Sequence, residues 1–148
     1  MKKFLKFLGI LLLIVIIIFI ATVVIFVKTK LNKINYENVT ANEIEINEGV
    51  EEILTGYTNI ALLGLDAQDA TFTNSRSDCI MIISINNETN DVKIVSVYRD
   101  TYLNIQGYGL DKVTHAYAYG KAALALSTIN TNLDLDITKY VTIDFDSV

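Results

Sequence analysis

The chain has 148 residues, enough for one membrane-spanning segment and at most one further domain. Its net charge of -5 is unevenly distributed, because the first 33 residues contain basic but no acidic side chains, whereas residues 34–148 carry 6 basic and 17 acidic ones. A domain this acidic excludes a general basic surface for nucleic acid, and the single cysteine excludes an internal disulfide.

An apolar run without charges extends from Phe7 to Val27, which is 21 residues. At about 1.5 Å per residue, a helix of this length spans about 30 Å, the thickness of one bilayer core. A cleavable signal peptide would have a shorter apolar region that ends at a small-residue site, so we predict an uncleaved transmembrane helix. Lysines flank the run on both sides in equal number and leave its orientation open.

The segment 28–56 is polar and increasingly acidic, and it predicts a membrane-proximal stalk. After Gly56, three runs rich in Ile and Val predict β-strands at Ile60–Leu65, Cys79–Ile85 and Val92–Val97. The second run is apolar on both faces, which indicates a central strand. The short polar cluster between the second and third runs predicts an antiparallel hairpin.

Four further elements follow in chain order: a short strand at Tyr102–Ile105, a turn at Gly107–Gly109, a helix at Lys112–Leu133 and a strand at Lys139–Phe145. Asp111 is the expected N-cap of the helix, and Gly120 is expected to interrupt or bend it. Strands and helices in this arrangement predict an α/β or α+β layered domain with a mixed sheet over residues 57–148.

Charged residues stand at the ends of the first three predicted strands. Asp66 follows the first, Arg76 and Asp78 precede the body of the second, and Arg99 and Asp100 follow the third. If strands one and three end where strand two begins, all five charges meet at one edge, including both arginines of the chain.

This cluster has two readings. Ion pairs at strand ends are common and contribute under about 1 kcal/mol each. Alternatively, the planar fork of arginine binds phosphate oxygens in pairs, and neighbouring carboxylates hold Mg²⁺ against the same phosphates. The second reading predicts a pyrophosphate site.

Other candidate groups carry weaker signals. His115 is the single histidine and lies in the predicted helix beside two tyrosines, which favours a packed or hydrogen-bonded role over catalysis. Cys79 is expected to be a small core residue. The sequence contains no zinc-ligand spacing, no G-x-S-x-G elbow and no dinucleotide-binding fingerprint.

Several linked motifs carry a resemblance to a known family. They are NIALLGLD at 59–66, SRSDCIMIISIN at 75–86, VKIVSVYRDTYLNI at 92–105, GYGLDKVTHAYAYG at 107–120 and YVTIDF at 140–145. In this order and spacing they resemble the LytR-CpsA-Psr family, whose members are membrane-anchored, extracytoplasmic proteins of Gram-positive bacteria. The resemblance covers residues 57–148, which correspond to the N-terminal part of the family's catalytic domain.

The resemblance implies a three-layer α-β-α sandwich around a mixed sheet, with an apolar tunnel for a lipid tail. It implies a transferase that moves an anionic glycopolymer, such as teichoic acid or capsule, from a polyprenyl-pyrophosphate carrier to peptidoglycan in cell-wall biogenesis. The family has a single anchor with its N-terminus inside. Residues 1–6 are therefore expected in the cytoplasm, residues 7–27 in the cell membrane, and residues 28–148 outside it.

By motif position, the resemblance assigns Asp66 and Asp78 as catalytic carboxylates that hold Mg²⁺ near the pyrophosphate. It assigns Arg76 and Arg99 as phosphate-binding residues, with Arg99 also among the catalytic groups. Asp100 is assigned a supporting role, in which it orients Arg99.

Two features depart from the family's pattern. Tyr98 stands where the family usually has proline before its Arg-Asp pair, and the family's domain continues well past the position of Val148. We therefore expect an incomplete domain without full transfer activity. Two other hypotheses stay open: a non-catalytic membrane-anchored module that binds polyprenyl phosphates or regulates envelope assembly, and a structural surface domain whose charges are ion pairs.

Overall fold

The computed structural model describes residues 2–31, 39–66 and 75–144, and the chain divides into two compact units, Met1–Asn38 and Val39–Val148. The described part of the first unit is one helix, α1 (Lys2–Leu31), whose segment Gly9–Thr29 is long and apolar enough to cross a membrane. Its large apolar side chains are exposed, as expected of a helix that has lipid as its solvent. The helix agrees with the predicted anchor.

The second unit is built on a mixed four-stranded sheet. Its elements, in chain order, are a 3₁₀ helix at Ala41–Glu43, α2 (Val50–Ile53), β1 (Tyr57–Asp66), β2 (Arg76–Asn86), β3 (Val92–Val97), β4 (Tyr102–Ile105), β5 (Gly109–Lys112), α3 (Val113–Leu133) and β6 (Lys139–Asp144). The strand order is β3-β2-β1-β6, and β4 pairs with β5 as a separate hairpin. Strand β1 runs antiparallel to β2 and parallel to β6, so the predicted mixed sheet, its central second strand and the hairpin are confirmed.

Helix α3 covers one face of the sheet. The centre of the core is formed by alternate residues of β1 and β2 together with one side of the helix, and it includes Ala61, Leu63, Leu65, Ile80, Ile82, Ala122, Ala125, Leu126 and Ile129. Each large aliphatic side chain buried here contributes about 1.5–3 kcal/mol relative to its exposed state. The helix has non-helical backbone angles at Gly120 and Lys121, which confirms the interruption predicted there.

The opposite face of the sheet is also apolar. Ile94, Val141 and Ile143 point to this side, with exposed fractions of 63%, 50% and 37%. Among the described residues of the second unit, 39–66 and 75–144, no helix forms the second helical layer of the expected sandwich on this face. Phe145, the expected end of the last strand, also lies outside these ranges.

Residues from Val39 onward, which the predicted stalk 28–56 includes, belong to the second compact unit in the structure. Ile44 is only 6% exposed and lies in the main core, and Val50 is equally buried. The backbone N–H of Glu45 donates to the Ser127 hydroxyl of α3 at 2.9 Å. The apolar residues of this segment are too widely scattered to produce a helix or strand period, which is why the sequence pattern indicated a stalk.

A register shift interrupts the β1–β2 ladder at the end where the charges lie. Gly64 pairs with Cys79, whereas the next residue of β1 pairs with Ser77, so Asp78 has no partner of its own in β1. Such a bulge turns side chains out of their regular alternation. Ser77 is buried and Asp78 is half-buried. Cys79 is exposed, which corrects the expectation of a core cysteine, since its side chain alternates with the buried Ile80.

The bulge brings the two strands close together. A Cβ atom at Gly64 would lie 2.9 Å from the Cβ of Cys79. We therefore expect Gly64→Ala to lower the free energy of unfolding by about 1–3 kcal/mol, the usual cost of overpacking. Urea unfolding of the full chain in detergent micelles measures the loss. The loss should be smaller in a Cys79→Gly background, and an equal loss in both backgrounds would contradict this explanation.

Candidate functional site

All five charged residues predicted to meet lie at one end of the sheet. Asp66 is the last residue of β1 and is directly paired with Arg76, the first residue of β2. Asp78 follows in the bulge, and Arg99 and Asp100 form the turn that leaves β3. The predicted convergence is therefore confirmed in position, while the roles of these residues remain predictions.

A chain of ion pairs links the turn after β3 to the bulge and to β5. Nη1 of Arg99 lies 2.9 Å from Oδ2 of Asp78, and Nε of Arg99 lies 3.7 Å from Oδ2 of Asp100. Oδ1 of Asp100 in turn lies 2.6 Å from Nζ of Lys112. The hydrogen bond from Lys112, assisted by the charges of Lys112 and Arg99, lowers the pKa of Asp100. The Asp100 carboxylate is therefore ionised at neutral pH, and it pairs with both Arg99 and Lys112.

The ion-pair reading thus holds for Arg99 but not for Arg76. Among the described residues, Arg76 forms no ion pair, and its side chain is exposed beside Asp66. Arg99 is also half-exposed, with a side-chain exposure of 53%. Both guanidinium groups can therefore be reached by a ligand from solvent.

The start of α3 is tied to the same turn. The backbone N–H of Thr114 donates to the carbonyl of Arg99 at 3.1 Å, and the N–H of Val113 donates to the carbonyl of Thr101 at 2.9 Å. The Thr114 hydroxyl lies 3.4 Å from Oδ1 of Asp78. Helix α3 thereby supports both Asp78 and Arg99.

Sequence reasoning missed Lys112 and Thr114. Lys112 was placed in a predicted helix, where a lysine most often faces solvent, and its contact with Asp100 depends on the fold of the β4–β5 hairpin. The one available signal was the lysine at the first position of the predicted helix, directly after Asp111.

An open depression of about 690 Å³ lies at this end of the sheet. Its lining joins the charged groups to apolar strand residues, and it consists of Asp78, Cys79, Ile80, Ser96, Val97, Tyr98, Arg99, Asp100 and Thr101. Tyr98, at the position where the family pattern has proline, is 87% exposed. Asp66 and Arg76 lie beside the depression in the strand ladder and do not line it. The depression therefore offers both charged and apolar contacts to one ligand.

The metal-binding capacity of this site rests on two carboxylates. Within residues 2–31, 39–66 and 75–144 there is no cluster of three or more His, Cys, Asp or Glu side chains that could hold a metal. Asp66 and Asp78 stand on adjacent strands at the same end of the sheet. Oxygen donors in this number fit Mg²⁺, which binds through one or two carboxylates together with substrate oxygens and water.

A second group of polar side chains joins the β4–β5 hairpin to α3, and we name it the Asp111 cluster: Tyr108, Asp111, His115 and Tyr119. Oδ2 of Asp111 accepts hydrogen bonds from Nδ1 of His115 at 2.9 Å and from the Tyr119 hydroxyl at 2.8 Å. The Tyr108 and Tyr119 rings stack with centroids 4.3 Å apart. The expected hydrogen-bonded role of His115 is confirmed.

Asp111 does not cap α3 as predicted. Lys112 occupies the N-cap position without a side-chain cap, whereas Asp111 lies within β5 and accepts the Lys112 backbone N–H at 2.7 Å. Hydrogen bonds from His115, from the Lys112 backbone and from Tyr119 lower the pKa of Asp111 to about 2. The hydrogen bond between Tyr119 and Asp111 in turn raises the pKa of the Tyr119 phenol. The carboxylate is therefore ionised and the phenol neutral at ordinary pH.

Two arginine side chains beside carboxylates at one end of a mixed sheet have the chemistry to bind an anion. Comparison with protein families matches residues 21–148 to the LytR_cpsA_psr family. The chain therefore belongs to the LytR-CpsA-Psr family.

Two curated relatives illustrate the likeness. The chain is 37% identical over 90 residues to the polyisoprenyl-teichoic acid--peptidoglycan teichoic acid transferase TagT of Bacillus subtilis. This match covers 59% of the chain and 28% of TagT. The chain is also 39% identical over 88 residues to the transferase TagU of Enterococcus faecalis. This second match covers 58% of the chain and 29% of TagU. The chain thus spans about a third of the length of the curated relatives it matches.

Solved structures have the same fold. YwtF (TagT), a LytR-CPS2A-psr family protein with bound octaprenyl pyrophosphate lipid, is 27% identical, with a TM-score of 0.56 over 76% of this chain and 39% of that one. The crystal structure of B. subtilis TagU is 29% identical, with a TM-score of 0.53 over 63% of this chain and 37% of that one.

The lowered pKa of Asp111 makes part of the stability depend on pH. A carboxylate whose pKa is depressed by folding stabilises the fold above its unfolded pKa, near 3.8, and this contribution is lost as the pH falls through about 2. We expect Asp111→Asn to be less stable than the parent chain at pH 6, with the difference shrinking between about pH 4 and pH 2. Urea unfolding across this range tests it. Tyr119→Phe removes one hydrogen-bond donor to Asp111, so its stability should differ from that of the parent in the same way but by less. A difference between Asp111→Asn and the parent that does not change with pH would contradict the explanation.

Proposed function

We propose that this chain acts in the transfer of an anionic glycopolymer from a polyprenyl-pyrophosphate carrier to peptidoglycan, the activity that the names of its relatives describe. The observation that carries the proposal is the position of Arg76 and Arg99 at one end of the sheet, each beside a carboxylate. The adjoining depression combines the charges of Asp78 and Arg99 with apolar strand residues, as a phosphate group attached to a lipid requires.

In this proposal Arg76 and Arg99 bind the oxygens of the pyrophosphate. A guanidinium presents several N–H donors, so Arg99 can keep its contact with Asp78 through Nη1 and still donate to a phosphate through other donors. Lys112, which contacts Asp100 at 2.6 Å, adds a third positive charge nearby. Fixed positive groups stabilise the charge that builds on the pyrophosphate as its bond breaks.

Mg²⁺ is part of the proposal, with Asp66 and Asp78 as its protein ligands. When bound, the ion would neutralise phosphate charge and fix the phosphate oxygens relative to the arginines. An aspartate of this site would take the proton from the acceptor hydroxyl of peptidoglycan. The hydroxyl oxygen then forms the new bond to phosphorus, and the bond between that phosphorus and the polyprenyl phosphate breaks.

The helix α1 fits a membrane anchor, and in the proposal it holds the domain next to its lipid-linked donor. We further propose that residues 1–6 lie in the cytoplasm and that the domain is extracytoplasmic. This orientation puts the site on the side where peptidoglycan is assembled.

A second candidate function is a non-catalytic module that binds polyprenyl phosphates. One contact pattern supports it: both oxygens of Asp78 already face protein groups, Arg99 at 2.9 Å and the Thr114 hydroxyl at 3.4 Å. A carboxylate held in this way suits the support of an arginine better than proton transfer. Binding of a glycopolymer-linked polyprenyl pyrophosphate without release of polyprenyl phosphate, in the presence of peptidoglycan, would favour this candidate over the transferase.

Replacement of Arg99 tests the phosphate-binding role. We expect Arg99→Ala to weaken binding of polyprenyl pyrophosphate roughly tenfold to a hundredfold, because hydrogen bonds to charged groups contribute about 1.5–3 kcal/mol. Transfer should be lost as well. The fold should persist, since a half-exposed ion pair contributes little to stability. Binding measured in nanodiscs, with circular dichroism for the fold, provides both readouts.

Lys93→Ala is the matched control, because Lys93 is an exposed cation on the same strand at the opposite end from Arg99. It should leave affinity unchanged. Parental affinity and turnover in Arg99→Ala would rule out the role assigned to this residue.

The metal requirement can be tested separately. We expect Mg²⁺ to increase the affinity of the chain for pyrophosphate, and we expect Asp66→Asn and Asp78→Asn to reduce or remove this increase. Calorimetric titration with and without EDTA measures it. Pyrophosphate binds Mg²⁺ in solution, so part of the change in affinity is independent of the protein. The decisive quantity is therefore the difference between each variant and the parent in the increase that Mg²⁺ causes. The same Mg²⁺ dependence in all three proteins would exclude these carboxylates as ligands.

A further inference from the structure

The Asp111 cluster lies next to the site in the chain but outside it in space. Asp111 lies within β5, whereas its partners His115 and Tyr119 lie in the first two turns of α3. One carboxylate thus fixes the first two turns of the helix to the hairpin. The stacked ring of Tyr108, from the turn between β4 and β5, adds a second link between the same two elements.

The residues between Asp111 and His115 are those that reach the proposed site. Lys112 extends to Asp100 at 2.6 Å, and Thr114 contacts Asp78 through its hydroxyl and Arg99 through its backbone N–H. The Lys112 backbone is itself held by Oδ1 of Asp111. Helix α3 has no side-chain cap at Lys112. The hydrogen bond from the Lys112 N–H to Asp111 therefore adds to those from Val113 and Thr114 to the carbonyls of the β3 turn in holding the start of the helix.

We propose that Asp111 is a positioning residue for the pyrophosphate site, which it serves by holding residues 112–114 so that Lys112 and Thr114 reach Asp100 and Asp78. The inference rests on the proposed function, because it assigns Asp111 a part in binding the same ligand. His115 and Tyr119 act in this arrangement as the donors that orient the Asp111 carboxylate.

The sign of the effect separates positioning from simple electrostatics. Asp111 is negatively charged and adjacent to Lys112, so its charge alone disfavours a nearby anion. If charge were its only influence, removal of the carboxylate would strengthen pyrophosphate binding. A positioning role predicts weaker pyrophosphate binding instead. Without Asp111, Lys112 and Thr114 would be displaced from Asp100 and Asp78, the carboxylates that contact Arg99.

The test is a double-mutant cycle with inorganic pyrophosphate, measured by calorimetry on the full chain in detergent micelles. We expect Asp111→Ala to weaken binding about fivefold to tenfold in the parent chain. In a Lys112→Ala background the same change should weaken binding less than about twofold, because residues that act through one contact are not additive. Asp91→Ala, which removes one negative charge from the turn at the far end of β2 and β3, should leave the dissociation constant unchanged.

Unchanged or tighter binding by Asp111→Ala, or equal losses in both backgrounds, would overturn the inference. Circular dichroism checks that each variant is folded. If Asp111→Ala does not fold, Tyr119→Phe replaces it, since this change keeps the ring stack and removes one hydrogen bond to Asp111. It should weaken binding about twofold to fivefold, and again less in the Lys112→Ala background. If the parent chain does not bind pyrophosphate at all, the proposed function fails, and with it this inference.

Discussion

The bulge that leaves Asp78 without a partner in β1 is the constraint on which the rest of the site depends. In a regular ladder, alternate residues of β2 would keep to fixed sides of the sheet. The register shift beside Gly64 breaks this alternation, so that Ser77 turns into the core and Asp78 accepts Arg99 at 2.9 Å. Gly64 and Cys79 form the last regular pair before the shift, and a Cβ on residue 64 would lie 2.9 Å from the Cβ of Cys79.

The ion pairs of the site hold its charged side chains in place for a ligand more than they stabilise the fold. The ion pairs of Arg99 and Asp100 are between one-quarter and three-fifths exposed, and pairs of this kind contribute under about 1 kcal/mol to folding. Their effect is to hold charged groups in one arrangement before a ligand arrives, which lowers the entropy lost on binding. The domain is acidic as a whole, so the cations that bind an anion here have to be local.

Much of the fold followed from sequence patterns with a clear period. The strands, the hairpin of β2 and β3 and the break at Gly120 each have such a local signal, and the motif order indicated the family. The five charged residues were placed correctly because antiparallel pairing brings strand ends together. The predicted strand ends were less accurate, since β1 and β2 extend into the charged clusters that had been taken as flanking sequence.

What sequence reasoning missed depended on contacts between elements. The burial of Ile44 requires the position of α3, and the lysine that reaches Asp100 requires the β4–β5 hairpin. Asp111 matched the residue preference of an N-cap, yet its carboxylate reaches His115 and Tyr119 instead, because the helix begins later than predicted. Residue preference alone does not fix which of several nearby donors a carboxylate accepts.

The central claim is that two arginines far apart in the sequence bind one diphosphate. The chain contains only Arg76 and Arg99, so the ¹H–¹⁵N spectrum of its arginine Nε groups should contain two side-chain signals. On titration with pyrophosphate in the presence of Mg²⁺, the account predicts that both signals shift and saturate at the same ligand concentration. A titration in which one signal stays unmoved, or in which the two saturate at different concentrations, would contradict it.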